Sequence, residues 1–141
     1  MNRIESEDKR KTGTAVRAVL LFTLLLPFLA GGCAGIKALD SIELRPPDLT
    51  RVNDGVWKGE WNTALVSAET AVTVTGHRIV SVEILRHDCG LGRPAEAITG
   101  SVVKAQSLDV DMVSGATGSS RVILKSVEQA LWAGAGGAPA E

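Results

Sequence analysis

Three hydrophobic patterns follow one another along the chain. Residues 18–29 form an apolar run, the stretch from Gly55 to Leu85 alternates with a period of two, and Pro94 to Trp132 carries apolar positions at three- and four-residue spacing. The alternating part predicts three strands. In Gly55–Trp61, Val56, Lys58 and Glu60 alternate with Trp57, Gly59 and Trp61, which puts both tryptophans on one face. Ala68–Thr75 and Ile79–Leu85 follow, joined by the turn Thr75-Gly76-His77-Arg78, in which Gly76 can take positive φ. Such a meander needs a cover for its apolar face.

Two helices are expected to supply it. One runs from Pro94 to about Gln106 with Ile98, Val102 and Ala105 on one side, weakened by Gly100. Leu108 to Val113 reads as an extended link. The last helix, Arg121 to Trp132, places Ile123, Val127, Ala130 and Leu131 on one stripe and leaves Lys125 and Glu128 outside. The fold class is therefore α+β: a small antiparallel sheet covered by two or more helices. Trp57 and Trp61 are expected in the core.

The first third reads differently. Arg3, Lys9, Arg10, Lys11 and Arg17 precede the run 18–29, which is short for a membrane span and suits the centre of a signal peptide. Leu29-Ala30-Gly31-Gly32-Cys33 then resembles the box at which bacterial lipoproteins are cut and acylated, with Ala30 where that family prefers leucine. The expected organisation is a signal peptide at 1–32, a tether at 33–53 containing Pro46-Pro47, a folded domain at 54–133 and a disordered tail at 134–141. An uncleaved N-terminal anchor, and a tether segment packed on the domain through Ile42 and Leu44, are the alternatives. Either N-terminal reading makes this an exported protein at the outer face of the cytoplasmic membrane, with membrane lipid held through Cys33 in the first.

Charge changes the picture little. The whole chain carries −1 at neutral pH, which gives no reason to expect nucleic acid. Cleavage before Cys33 leaves ten basic and thirteen acidic side chains and Cys89 as the one other cysteine, so no intramolecular disulfide is available. His87 and Cys89, with His77 in a turn, fall short of the ligands zinc requires, so no metal is expected; as a catalytic pair they lack a third orienting group and read as loop residues.

The informative stretch is Asp111-Met112-Val113-Ser114-Gly115-Ala116-Thr117-Gly118-Ser119-Ser120. Gly115, Ala116 and Gly118 keep side chains away so that backbone N–H groups can converge on an anion at the start of the last helix, with Ser119 or Ser120 as its cap. An ordinary turn before a capped helix fits the same residues. The stretch resembles the signature of the FMN-binding domain family, found within the sodium-translocating NADH:quinone reductase and the Rnf complex. The likeness extends from Asp54-Gly55-Val56-Trp57-Lys58-Gly59-Glu60 through Gln106-Ser107-Leu108-Asp109-Val110-Asp111.

The resemblance implies covalent FMN on Thr117 through a phosphoester installed by a flavin transferase. Ser114, Gly115, Ala116, Gly118 and Ser119 would lie around the phosphate, and Asp111 would belong to the recognition signature. Upstream, Arg86-His87-Asp88-Cys89-Gly90-Leu91-Gly92 stands where the family reads like His-x-Glu-Thr-Pro-Gly-Leu-Gly near the flavin ring. Gly90-Leu91-Gly92 is kept, which makes Leu91 a ring neighbour, while the acidic-threonine-proline part is altered. The function implied is an electron-transfer relay with an unidentified membrane redox partner, a carrier or redox subunit rather than a stand-alone enzyme. A cofactor-free structural or sensory lipoprotein, and the FMN subunit of a multi-chain reductase, are the competing readings.

Overall fold

The computed structural model describes residues 39–137. The expected signal peptide and Cys33 lie outside that range, as do residues 138–141 of the expected tail. Three strands, β1 (Gly55–Asn62), β2 (Ser67–Thr75) and β3 (Arg78–Asp88), form an antiparallel sheet in the order β1-β2-β3. Two helices follow, α1 (Ile98–Ala105) and α2 (Thr117–Gly134). This is the expected α+β architecture, a meander covered on one face.

The two-residue turn between β2 and β3 has positive φ at both Gly76 (58°) and His77 (59°). Its twist matches that of the flanking strands. Asp54 reaches across from the start of β1 and accepts a 2.7 Å hydrogen bond from the Gly76 N–H. Register shifts at Glu69/Thr70 and Thr73/Val74 bend β3 against β2. β3 runs three residues beyond the expected Leu85, because Arg86, His87 and Asp88 pair with Glu69, Ala68 and Ser67.

One face of the sheet carries Trp57, Gly59 and Trp61 from β1 and Ala68, Thr70, Val72 and Val74 from β2, and α2 lies across it. Ser126, buried on α2, shares a 3.1 Å hydrogen bond with Thr70 and donates to the Ile123 carbonyl at 2.7 Å, so the polar pair facing the sheet is satisfied. At Gly59 strand and helix touch backbone to backbone. A Cβ there would overlap the Ser126 carbonyl oxygen and the Ala130 nitrogen, with Gln129 C at 2.9 Å. Trp57 and Trp61 flank this crossing and pack on the core, as expected. The Trp57 indole donates to the Asn53 carbonyl, and Lys125 sits 5.4 Å above the Trp61 ring.

α1 is reached through a 3-10 turn, Arg93–Ala97, with Pro94 in its first turn, and ends at Gln106 in the left-handed conformation. Gln106 then uses both ends of its amide on Ile79, accepting from its N–H at 2.9 Å and donating to its carbonyl at 2.8 Å. That clamp ties the helix end to the start of β3. Ile98 and Val102 are buried as expected, but Ala105 is exposed, because the helix ends there and Leu108 fills the core beyond it.

The expected stripe of Ile123, Val127, Ala130 and Leu131 is buried, but α2 is enclosed on more sides than one stripe predicts. Residues 39–52 are laid along it, with Leu39, Ile42, Leu44 and Leu49 against the core and Val52 fully inside. The described part of the expected tether is thus packed on the domain, as the alternative through Ile42 and Leu44 required. Glu128, expected outside, has 0% exposure. It accepts from the Arg45 backbone N–H at 2.6 Å and from Lys125 at 2.7 Å, while Lys125 also donates to the Glu43 carbonyl at 2.8 Å. The correction has a plain cause: an outward helix position became an inner one when a second segment covered it. Gly134, assigned to the tail, is still helical and buried, its carbonyl accepting from the N–H of Asn53.

Gly59→Val should destabilise the fold by about 1–3 kcal/mol through overpacking at a contact where both sides are backbone, seen as a lower urea midpoint of unfolding at unchanged slope. Glu128→Ala should cost roughly 3 kcal/mol by leaving Lys125 without its carboxylate and the Arg45 N–H without an acceptor. Glu128→Gln, which keeps an acceptor, should cost less in the same titration.

Candidate functional site

α2 begins at Thr117, four residues before the expected Arg121, and the reason is the turn that precedes it. The Ala116 N–H bonds to the Val113 carbonyl at 3.0 Å, closing Val113-Ser114-Gly115-Ala116 into a turn whose third residue, Gly115, has φ +76°. Glycine is the residue that tolerates this conformation. The helix then opens on the Ser120 N–H donating to the Ala116 carbonyl at 2.9 Å. Ala116 occupies the cap position and no side chain caps the first turn. Ser119 and Ser120, expected as caps, lie one turn inside instead; the Ser120 hydroxyl accepts from the Val113 N–H at 3.2 Å and so fastens the turn to the helix.

The first turn of a helix has N–H groups with no intrahelical acceptor, and they point along the axis with the positive end of the helix dipole. Here they belong to Thr117, Gly118 and Ser119, in a turn without acidic residues. Thr117, Ser114 and Gly115 are exposed, Gly118 is half-buried, and Ala116 and Ser119 are buried. The arrangement leaves the Thr117 hydroxyl, like that of Ser114 before the turn, exposed and able to carry a substituent, while Ala116 and Ser119 on either side of Thr117 are fixed by packing. A phosphate bonded to the Thr117 oxygen would lie at the positive end of an 18-residue helix. The residues present therefore fit a phosphate group.

Two other segments meet this first turn. Gly92 lies so close that a Cβ on it would overlap the Ser119 hydroxyl and come within 2.8 Å of the Ser119 Cβ. That contact brings the loop Cys89–Gly92 beside the start of α2, with Leu91, 96% exposed, at its tip. From the other direction, Leu39 Cδ1 stands 2.9 Å from where a Cβ on Gly118 would be. Arg121 donates to the carbonyls of Leu39 and Asp40 and to the Asp40 carboxylate, which fixes residues 39 and 40 there.

Asp111 is placed differently. It is exposed and lines, with Ser101, Lys104, Ala105, Asp109 and Val110, an open depression of about 640 Å³ beside the end of α1. It makes no hydrogen bond to the turn 113–116 or to the first turn of α2 among the described residues.

His87, expected in a loop, sits on β3 with its side chain 1% exposed. Its Nδ1 lies 3.1 Å from Glu96 Oε1 and 3.7 Å from Cys89 Sγ, whereas Nε2 is buried without a partner among the described residues. Glu96 comes from the 3-10 turn nine residues on. Sequence spacing gave no sign of it, because the pairing depends on how that turn folds back onto the sheet. The trio secures the base of the loop whose tip is Leu91.

With this geometry in place, comparison with known proteins is direct. The chain is 32% identical over 83 residues to an uncharacterized protein of Treponema pallidum (strain Nichols), an alignment taking in 57% of this chain and 23% of that longer protein. Residues 66–132 match the model of the FMN-binding domain family. The match opens just before β2, takes in the loop at Leu91 and the turn at Gly115, and ends near the close of α2. This segment of the chain belongs to the FMN-binding domain family.

Proposed function

We propose that the domain carries FMN covalently, through a phosphoester to Thr117, and works as an electron-transfer relay on an exported chain anchored by lipid at Cys33. The observation that carries the attachment is the exposed Thr117 hydroxyl on the uncapped first turn of α2. A flavin transferase would supply the phosphoester. In that transfer the Thr117 oxygen attacks the phosphorus of a flavin phosphoanhydride donor: the new P–O bond forms as the anhydride P–O bond breaks, and the hydroxyl proton and the second phosphate-bearing half of the donor leave.

Once bound, FMN supplies the redox chemistry. The chain's own part is to hold, orient and tune it. The N–H groups of Thr117, Gly118 and Ser119 would face the phosphate charge, which the diester keeps at neutral pH, and Gly115 lets the preceding turn pass without a side chain in the way. Leu91, on the loop fastened by Gly92 to Ser119, would lie near the ring. Ser114 would stand at the edge of the phosphate, and Asp111, apart from the turn, would serve recognition by the transferase rather than the bond.

Covalent attachment suits an exported protein, because FMN lost outside the cytoplasm is not readily replaced. The relay passes electrons to or from a redox partner at the membrane. A reading of the chain as the FMN subunit of a multi-chain reductase differs in the partner alone. A cofactor-free lipoprotein would show no flavin absorbance after coexpression with a transferase.

Thr117→Ala should abolish the mass increment of FMN less one water in peptide maps of protein coexpressed with a flavin transferase. Thr117→Ser should keep part of it. Ser114→Ala, Ser119→Ala and Ser120→Ala should still be labelled on Thr117, and Ser120→Ala should lose about 1 kcal/mol of stability with the bond to Val113. An increment on any serine, or one that persists in Thr117→Ala, would sink the assignment. Cys33→Ala should block acyl labelling and leave an unprocessed or released precursor; normal processing of that variant would count against the anchor.

A further inference from the structure

The anchor proposed at Cys33 and the attachment proposed at Thr117 are far apart in sequence, but the chain connects them closely. Leu39 is packed against Gly118, the residue after Thr117, and Arg121 holds Leu39 and Asp40 in place through three hydrogen bonds. Cys33 precedes Leu39 by six residues. A peptide chain spans at most about 3.5 Å per residue, so whatever path these residues take, Cys33 lies within about 21 Å of Leu39.

The opposite pole is a full helix length away. Asn53 bonds to the Gly134 carbonyl at the end of α2, and Asp54 bonds to Gly76 in the turn between β2 and β3. The 18 residues of α2 separate the two poles by about 27 Å. A short leash fastened at one pole favours presenting that pole to the surface at which the leash ends.

We propose that the lipid surface itself docks against the Thr117 pole, so that the flavin-bearing end of the domain faces the bilayer. The inference rests on the lipid-anchor reading of Cys33. The loop tip at that pole has the chemistry of a headgroup contact. Leu91 is 96% exposed between Gly90 and Gly92, and the exposed Arg93 follows. An apolar tip beside a cation suits the interface of an anionic membrane, where the side chain enters the headgroup layer and the guanidinium meets phosphates. The orientation also selects the redox partner by position: it exchanges electrons at the membrane surface or within the bilayer, and a partner diffusing freely in the exported compartment meets the face without the flavin.

The test uses the full chain, matured in a lipoprotein-processing host and reconstituted into phosphatidylethanolamine–phosphatidylglycerol vesicles. A bimane fluorophore is placed at Gly90→Cys, where a side chain meets open space, or at Arg78→Cys beside the opposite turn, both in a Cys89→Ser background. Headgroup-nitroxide lipid then quenches whichever site lies at the membrane, and flotation reports anchoring independently. At least two-fold stronger quenching at position 90 than at 78 is expected. Equal quenching, or stronger quenching at 78, on vesicles that float with the protein overturns the orientation and leaves the anchor standing. Protein that fails to float, with Cys33 shown unacylated by mass spectrometry, removes the anchor and the orientation with it.

Discussion

The contact between Gly59 and the backbone of α2 at Ser126 and Ala130 sets the geometry on which everything else depends. A sheet and a helix separated by side chains can slide by a residue or more; with backbone against backbone, β1 and α2 have one mutual position. The Thr70–Ser126 hydrogen bond then fixes the helix against the second strand as well. With α2 so placed, its two ends are assigned: the C-terminal end closes on Asn53, and the N-terminal end emerges beside the loop after β3. The position of Thr117 follows from a glycine fifty-eight residues earlier in the chain.

How far the sequence could be read follows the range of the forces involved. The strands were legible because alternation in Val56–Trp61 and Ala68–Thr75 records a sheet with one covered face. The core stripe of α2 was legible for the same reason. Glu128 was not, since its burial depends on residues 43–45 crossing over it, and no local pattern marks a glutamate that will be met by a distant backbone N–H. Its buried carboxyl is satisfied there by the Lys125 ammonium and the Arg45 backbone N–H, which replace the water it gave up. His87 was misplaced in a loop because strand pairing with Ala68 extended β3 beyond the apolar run.

At the site, residue types were legible and the start of the helix was not. Serines at 119 and 120 look like caps by propensity, yet the turn at Gly115 brings the Val113 carbonyl to the Ala116 N–H and starts the helix at Thr117. Ser120 instead accepts from the N–H of Val113, the first residue of that turn, and not from an N–H of its own helix. The consequence matters for chemistry. A hydroxyl in a cap is occupied in its own helix, whereas the Thr117 hydroxyl, at the first helical position and exposed, is not needed for capping.

That exposure bears on why a covalent bond would be used. A ligand held by contacts alone commonly has most of its surface buried. Around Thr117 the support is one-sided: a helix end for the phosphate, and a loop whose leucine projects almost fully into solvent. An uncapped helix terminus contributes something like 1 kcal/mol toward an anion, far below what retention of a mobile cofactor in a dilute compartment demands. A phosphoester makes retention independent of that small term. In the proposed holo-domain the weak local field would then be left to orient the phosphate, the loop beside it would stay open, and the ring would remain within reach of a partner, which a deeply enclosing pocket would prevent.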